Sequence, residues 1–211
     1  MFLEPNKFYH IYNHAIGDDN LFRNNQNYLY FLKRYADFIH PIAKTYAYCL
    51  MPNHFHLLVK IRTEVEIVEA FPKLRKDLQG FKNLEGLYVE EIEKRISKQF
   101  SNFFNSYTKS INKSYNRRGA LFCHNFKRKP ISNDAYFTSV LQYIHRNPQH
   151  HGFSTTVEDW RWSSYHSLIS QKPTHLERQE IIGWYGTEAY FKESHKRHDA
   201  LYFELSQDDF Y

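Results

Sequence analysis

Residues 44–62 read KTYAYCLMPNHFHLLVKIR. Two runs rich in β-branched and aromatic residues flank the turn signal Met51-Pro52-Asn53. In the second run His54, His56, Leu58 and Lys60 fall on one side of a strand and Phe55, Leu57, Val59 and Ile61 on the other, because strand side chains alternate. Two strands joined by a short turn form a hairpin. Upstream, residues 7–13 also alternate and carry Phe8, Tyr9, Ile11 and Tyr12, which suits a first strand. Residues 24–40 space Tyr28, Phe31, Leu32, Tyr35 and Ile39 as a helix does, with Asn24 or Asn25 as its cap.

Downstream, residues 63–90 are irregular and charged, with Pro72 and two glycines, and are expected to be an insertion, partly helical. A long helix is predicted over 91–116, with the stripe Ile92, Ile96, Phe100, Phe103/Phe104, Tyr107, Ile111 and Tyr115. Gly119 ends the next turn, and 120–131 reads as a strand with a basic end. Ser132 or Asn133 can cap a helix over 134–146, which Pro148 is expected to stop. The order is therefore strand, helix, strand, strand, helix, strand, helix. That is an α+β pattern, the split β-α-β of ferredoxin-like folds: an antiparallel sheet with helices on one face. Residues 1–170 would make this domain. Residues 171–211 are a C-terminal extension with a helical pattern in its last third.

Composition narrows the function. The 211 residues carry 28 basic and 23 acidic side chains, a balance of +5, and only 7 glycines beside 17 tyrosines and 18 phenylalanines. No G-x-G-x-x-G or G-x-x-x-x-G-K-[ST] occurs, which disfavours a dinucleotide-binding fold and a P-loop NTPase. With 42% apolar residues most of the chain can fold. Cys49 and Cys123 make no disulfide framework. The first residues lack a basic start followed by an apolar run, and no apolar run reaches the roughly 20 residues of a membrane span. These features predict a soluble, cytoplasmic protein with no membrane partner.

The charge is uneven. From Lys94 to Asn133 there is no acidic residue, while Lys94, Arg95, Lys98, Lys109, Lys113, Arg117, Arg118, Lys127, Arg128 and Lys129 are all basic. A charge run is usually a solvated face, but surface helices normally mix both signs. A one-sign stretch interleaved with aromatics fits a polyanion track, with Lys109, Lys113, Arg117, Arg118, Lys127, Arg128 and Lys129 as candidate DNA contacts. Basic side chains would neutralise phosphates and exposed rings could stack on unpaired bases.

His54-Phe55-His56 sets two imidazoles on one side of a strand, a spacing that can ligate one divalent ion. Alone, such a pair reads as two polar outward positions. Here it begins a strand beside a turn, where a site can open. In Leu141-Gln142-Tyr143-Ile144-His145-Arg146-Asn147-Pro148, Tyr143 and Asn147 are four apart and share a helix face. Alone, Tyr143 reads as a core aromatic and Asn147 as a helix end. His145 points to another side, toward backbone or DNA. Tyr107 and Tyr115 are rival nucleophiles, but both lie on the apolar stripe of the basic helix.

In combination these segments resemble the single-tyrosine HUH transposases, the domain shared by the IS200-like and REP-associated tyrosine transposases. The matching stretches are Tyr9-His10-Ile11-Tyr12-Asn13, the run from Tyr48 through Met51-Pro52-Asn53-His54-Phe55-His56 to Leu58, Tyr143-Ile144-His145-Arg146-Asn147-Pro148, and Asp159-Trp160-Arg161-Trp162-Ser163-Ser164-Tyr165. They span roughly residues 5–168. The resemblance implies a DNA-cleaving and joining enzyme acting through a 5′-phosphotyrosine on single-stranded, hairpin-bearing DNA, as a monomer or a homodimer. It implies Tyr143 as the nucleophile, and His54, His56 and Asn147 as ligands of Mg²⁺ or Mn²⁺. Asparagine at 147 resembles the REP-associated branch, where the IS200-like enzymes have glutamine. A domesticated relative that grips hairpin DNA without cutting is the alternative. A zinc protein lacks convincing further ligands, and the RNA-binding signature of ferredoxin-like domains is absent.

Overall fold

The computed structural model describes residues 3–74 and 85–196. Four strands form one sheet: β1 (Phe8–His14), β2 (Ala43–Leu50), β3 (His54–Ile61) and β4 (Lys127–Pro130). Their order is β2-β3-β1-β4, and every neighbouring pair is antiparallel. This is the ferredoxin-like arrangement that the element order predicts. Helix α1 (Asn25–Ile39) connects β1 to β2 and crosses over β3's place in the sheet. The side chain of Asn24 accepts from the Asn27 N–H and so caps α1. Helices α2 (Glu64–Ala70) and α3 (Glu85–Ser114) follow β3, and α4 (Asp134–His150) follows β4.

Strand β3 is buried on both sides. Phe55, Leu57, Val59 and Ile61 join Phe31, Tyr35, Phe100, Phe103 and Tyr107 in the core beneath α1 and α3. Leu58 joins Tyr46, Cys49, Phe137, Val140, Leu141 and Tyr143 in a second core beneath α4. Helices therefore cover both faces of the sheet, where one face was expected. The reason is visible in α4, which is buried nearly continuously from Ser139 to Pro148, on its apolar stripe and also on the side that carries Ser139, His145 and Arg146. It packs on the sheet with one side and receives α5 (Tyr165–Ile169), α6 (Arg178–Tyr185) and α7 (Glu188–Ser194) on the other, through Tyr165, Leu168, Ile181 and Phe191. A bulge between Thr45 and Ala47 turns both Tyr46 and Ala47 toward this second core.

Three boundaries differ from expectation. Helix α3 begins at Glu85, not near residue 91; residues 75–84 lie outside the described ones, as does the last third of the tail. The strand expected over 120–131 shrinks to Lys127–Pro130, with one isolated bridge from Phe122 to Ala15. Helix α4 runs through Pro148 to His150. A proline deletes one ladder bond and crowds the carbonyl four residues back, but burial holds the helix, and the His151 N–H still bonds the Asn147 carbonyl at 3.1 Å. Among the described residues, no helix is long and apolar enough to cross a membrane.

The first core depends on its aromatic lattice. Phe31 is fully buried, 5.1 Å from Phe22, 5.3 Å from Phe55 and 4.8 Å from Phe103 by ring centroids. Phe31→Ala is expected to lower unfolding free energy by about 3–5 kcal/mol, measured by urea unfolding; a loss below about 1 kcal/mol would mean the core collapses around the gap.

Candidate active site

The register of β1 on β3 builds the site. His14 lies opposite His54, Tyr12 opposite His56, and His10 opposite Leu58. Residues facing each other across a ladder share a face, so His10, Tyr12 and His14 join His54 and His56 under α4. The rings stack in two groups that meet edge-to-face between His54 and His56 at 5.2 Å: His14 and His54 are 4.7 Å apart, Tyr12 and His56 5.5 Å, His10 and His56 5.1 Å. His151, just beyond α4, adds a fifth imidazole 4.8 Å from His54. The alternation in β1 was readable in sequence, but its partner was not, so His10, His14 and His151 were missed.

Helix α4 brings Tyr143 and Asn147 to the same place. The Tyr143 ring sits 5.5 Å from His56 and 6.0 Å from His10, nearly perpendicular to both. Asn147 Oδ1 is 2.8 Å from His54 Nε2. The four residues singled out together, His54, His56, Tyr143 and Asn147, thus converge from β3 and α4. All four are buried: His54 is 1% exposed and the other three 0%.

The protons of this cluster are constrained. His54 Nδ1 lies 2.8 Å from Asn53 Oδ1, which can only accept. A neutral ring that donates there carries a lone pair on Nε2, and that lone pair faces another acceptor, Asn147 Oδ1. With the proton on Nε2 instead, His54 donates to Asn147 Oδ1, so the two contacts are alternatives set by the tautomer. Burial pushes the His54 pKa down to about 3, helped by His14 and opposed by Asn147, so near neutral pH the ring is neutral and carries a single N–H. Burial likewise lowers His10 to about 3, with Lys129 adding repulsion, and pushes His56 well down. His56 Nδ1 meets His10 Nε2 at 3.0 Å, which leaves Nε2 as the nitrogen through which His56 would act. Among the described residues, no group of three or more His, Cys, Asp or Glu side chains has the spacing of a metal centre. His54, His56 and Asn147 bring two imidazoles and a side-chain amide to this face.

The basic residues divide by face. On β4, Lys127 pairs with Tyr12 and Lys129 with His10, so both border the histidine face, whereas Arg128 pairs with Ile11 and lies over Phe126 at 4.8 Å on the other. Lys109, Lys113, Arg118 and Lys127 are exposed. Arg117 is engaged within the fold: it pairs with Asp19 at 2.8 Å and donates to the Ala120 carbonyl. The rival tyrosines are structural, with the Tyr107 hydroxyl donating to the Leu21 carbonyl at 2.7 Å and the Tyr115 hydroxyl to Asn27 Oδ1 at 2.9 Å. His145 faces neither solvent nor DNA; it is fully buried against Ser164 and His195.

The buried neutral histidines give a pH prediction. Unfolded, His10 and His54 take protons near pH 6.5; folded, they do so only near 3. Their contribution is therefore complete above about pH 6.5 and is lost as pH falls toward 3. Urea unfolding at successive pH values should show stability falling below pH 6.5 by on the order of 1 kcal/mol per pH unit for each ring. A flat profile from pH 7.5 to 4.5 would contradict the assignment.

No family model matches the chain. Over 136 residues it is 24% identical to a Haemophilus influenzae protein named "Putative REP-associated tyrosine transposase", an alignment covering 60% of this chain and 61% of that one. The chain thus spans under two thirds of the length of the curated relative it matches. A solved structure of a REP-associated tyrosine transposase bound to a REP hairpin superposes with a TM-score of 0.51 at 16% identity, covering 82% of this chain and 86% of the other. The chain is thus similar in sequence to the curated relative and in fold to the solved REP-associated tyrosine transposase.

Proposed function

We propose that this protein is a metal-dependent endonuclease and strand transferase for single-stranded, hairpin-bearing DNA, acting through a 5′-phosphotyrosine. One observation carries the reading: His54 Nε2 and Asn147 Oδ1 face each other at 2.8 Å with the His56 and Tyr143 rings alongside. Two ligands on adjacent corners of an octahedral ion at about 2.1 Å stand about 3.0 Å apart, so the donor set suits a divalent ion. Mg²⁺ or Mn²⁺ held by His54, His56 and Asn147 would polarise the scissile phosphate and favour the phenolate.

Tyr143 is the nucleophile. Its oxygen forms a bond to phosphorus as the bond from phosphorus to the 3′-oxygen breaks, and the leaving strand takes up a proton to end in a 3′-hydroxyl. The 5′ end stays on the tyrosine. Since one phosphoester replaces another, the 3′-hydroxyl of a second strand can reverse the step and join to that 5′ end, regenerating Tyr143. His10 holds the Nδ1 side of His56 and Asn53 the Nδ1 side of His54, so both rings present Nε2. Lys127 and Lys129 flank the face on which the strand would lie; Lys109, Lys113 and Arg118 are further exposed cations, Arg128 lies on the opposite face, and the charge of Arg117 is offset by Asp19. The hairpin as substrate is supported by the solved neighbour, which was bound to one.

The complete burial of Tyr143 favours a second reading, a hairpin-binding protein that does not cut. The cleaving reading requires local opening of the site as DNA docks.

Mixing the protein with a labelled hairpin oligonucleotide and Mn²⁺ should give a covalent adduct on a denaturing gel. Tyr143→Phe is expected to abolish it, and His54→Ala or Asn147→Ala to reduce it by at least roughly a hundredfold; an adduct that persists in Tyr143→Phe or in chelator sinks the mechanism. Lys127→Gln with Lys129→Gln should weaken hairpin binding and lower the slope of log affinity against log salt by about one per charge removed. An unchanged slope would move the track elsewhere.

A further inference from the structure

A second pair of histidines lies on the far side of α4. His145 is two residues from Tyr143 and from Asn147, about 200° around the helix from either neighbour, and it is fully buried. Its Nδ1 is 2.8 Å from His195 Nε2, and its Nε2 is 2.8 Å from Ser164 Oγ. At one end of this line the Tyr48 N–H donates to Ser164 Oγ at 2.9 Å. At the other, His195 Nδ1 lies 2.8 Å from the Phe191 carbonyl.

With both rings neutral, the Phe191 end fixes every proton in the line. A backbone N–H only donates and a carbonyl only accepts. His195 must therefore carry its proton on Nδ1 to bond Phe191 O, and its Nε2 accepts. His145 must then donate from Nδ1, and its Nε2 accepts from the Ser164 hydroxyl. The opposite direction would set the His195 Nδ1 lone pair against the Phe191 carbonyl. One tautomer of each ring satisfies the whole line, and all three side chains are at most 3% exposed.

The line joins four segments: β2 just before the turn into His54, the residue preceding α5, α4, and the end of α7. A helix packed by apolar contacts alone can rotate by small amounts, because such contacts are non-directional. Hydrogen bonds are directional, and this pair grips α4 opposite the edge that carries Tyr143 and Asn147. We propose that His195, in the C-terminal extension, is a positioning residue that fixes the rotation of α4 through His145 and so sets Tyr143 and Asn147 against the histidine pair. In its consequence for cleavage the proposal rests on the transposase reading above. The extension is then part of the active-site scaffold.

The test uses the full chain with His195→Leu, which removes the acceptor at similar bulk, and His195→Gln, whose side-chain oxygen can accept from His145. Single-turnover adduct formation with a hairpin oligonucleotide should slow by roughly tenfold to a hundredfold in His195→Leu with hairpin Kd unchanged, and recover to within about threefold of wild type in His195→Gln. Equal rates in all three, or a His195→Gln protein as slow as His195→Leu, overturns the proposal. Ring-nitrogen NMR on histidine-labelled protein without DNA gives a readout free of activity. His145 and His195 should both be neutral with the proton on Nδ1, and the His54 ring signals should shift in His195→Leu but not in His195→Gln. Nε2-protonated His145, or unmoved His54 signals, overturns it. A wild-type protein that forms no adduct while the NMR pattern holds removes the cleavage reading and leaves the positioning role standing.

Discussion

Burial of β3 on both faces is the constraint on which the rest of this structure depends. A strand with one wet face could leave His54 and His56 in water. Here α4 closes over that face, and every ring nitrogen beneath it needs a partner. Asn53 and Asn147 stand at the two nitrogens of His54, and His10 Nε2 at Nδ1 of His56. The same burial holds these imidazoles neutral, the form in which an imidazole can donate a lone pair to an ion. Packing and chemistry are thus consequences of one layer of helix placed on one strand.

The second layer follows from the first. Helix α4 is buried on nearly all sides, its polar Ser139, His145 and Arg146 included, and the segment after Gly152 folds back to cover it. That segment also closes the open edge of the sheet. Leu50 and Tyr48 on β2 exchange backbone bonds with Trp162 and Ser164, and Thr45 bridges to Leu176. An exposed edge strand invites pairing with other chains, and here the covering segment removes it. The tail's polar anchors, Ser164 and His195, meet α4 at His145 inside that apolar layer.

Much of this was legible from residue order. The element types, the α1 and α3 stripes and the Asn caps came from periodicity and capping chemistry that act within a few residues. The pairing of His54 with His56 needed only strand alternation, and that of Tyr143 with Asn147 only helical spacing. The errors share a cause. Pro148 was expected to stop α4 because local propensity disfavours it there, and tertiary burial outweighed that preference. The strand expected over 120–131 lost its first half because strand length depends on a partner: the ladder with β1 is continuous only over residues 127–130, and residues 121–123 meet the end of β1 at isolated bonds.

By itself the sequence determined the alternation, the helical faces, the basic stretch and the two chemistry-bearing motifs, since each is a property of neighbours along the chain. Only the tertiary structure decided that β1 lies against β3 in the register that brings His10, Tyr12 and His14 to the site. It also decided that α4 covers the histidine face, and that His145 turns inward to His195. These are contacts between residues 46, 93 and 50 positions apart. They are set by which apolar faces can be buried together, and no local pattern carries that information.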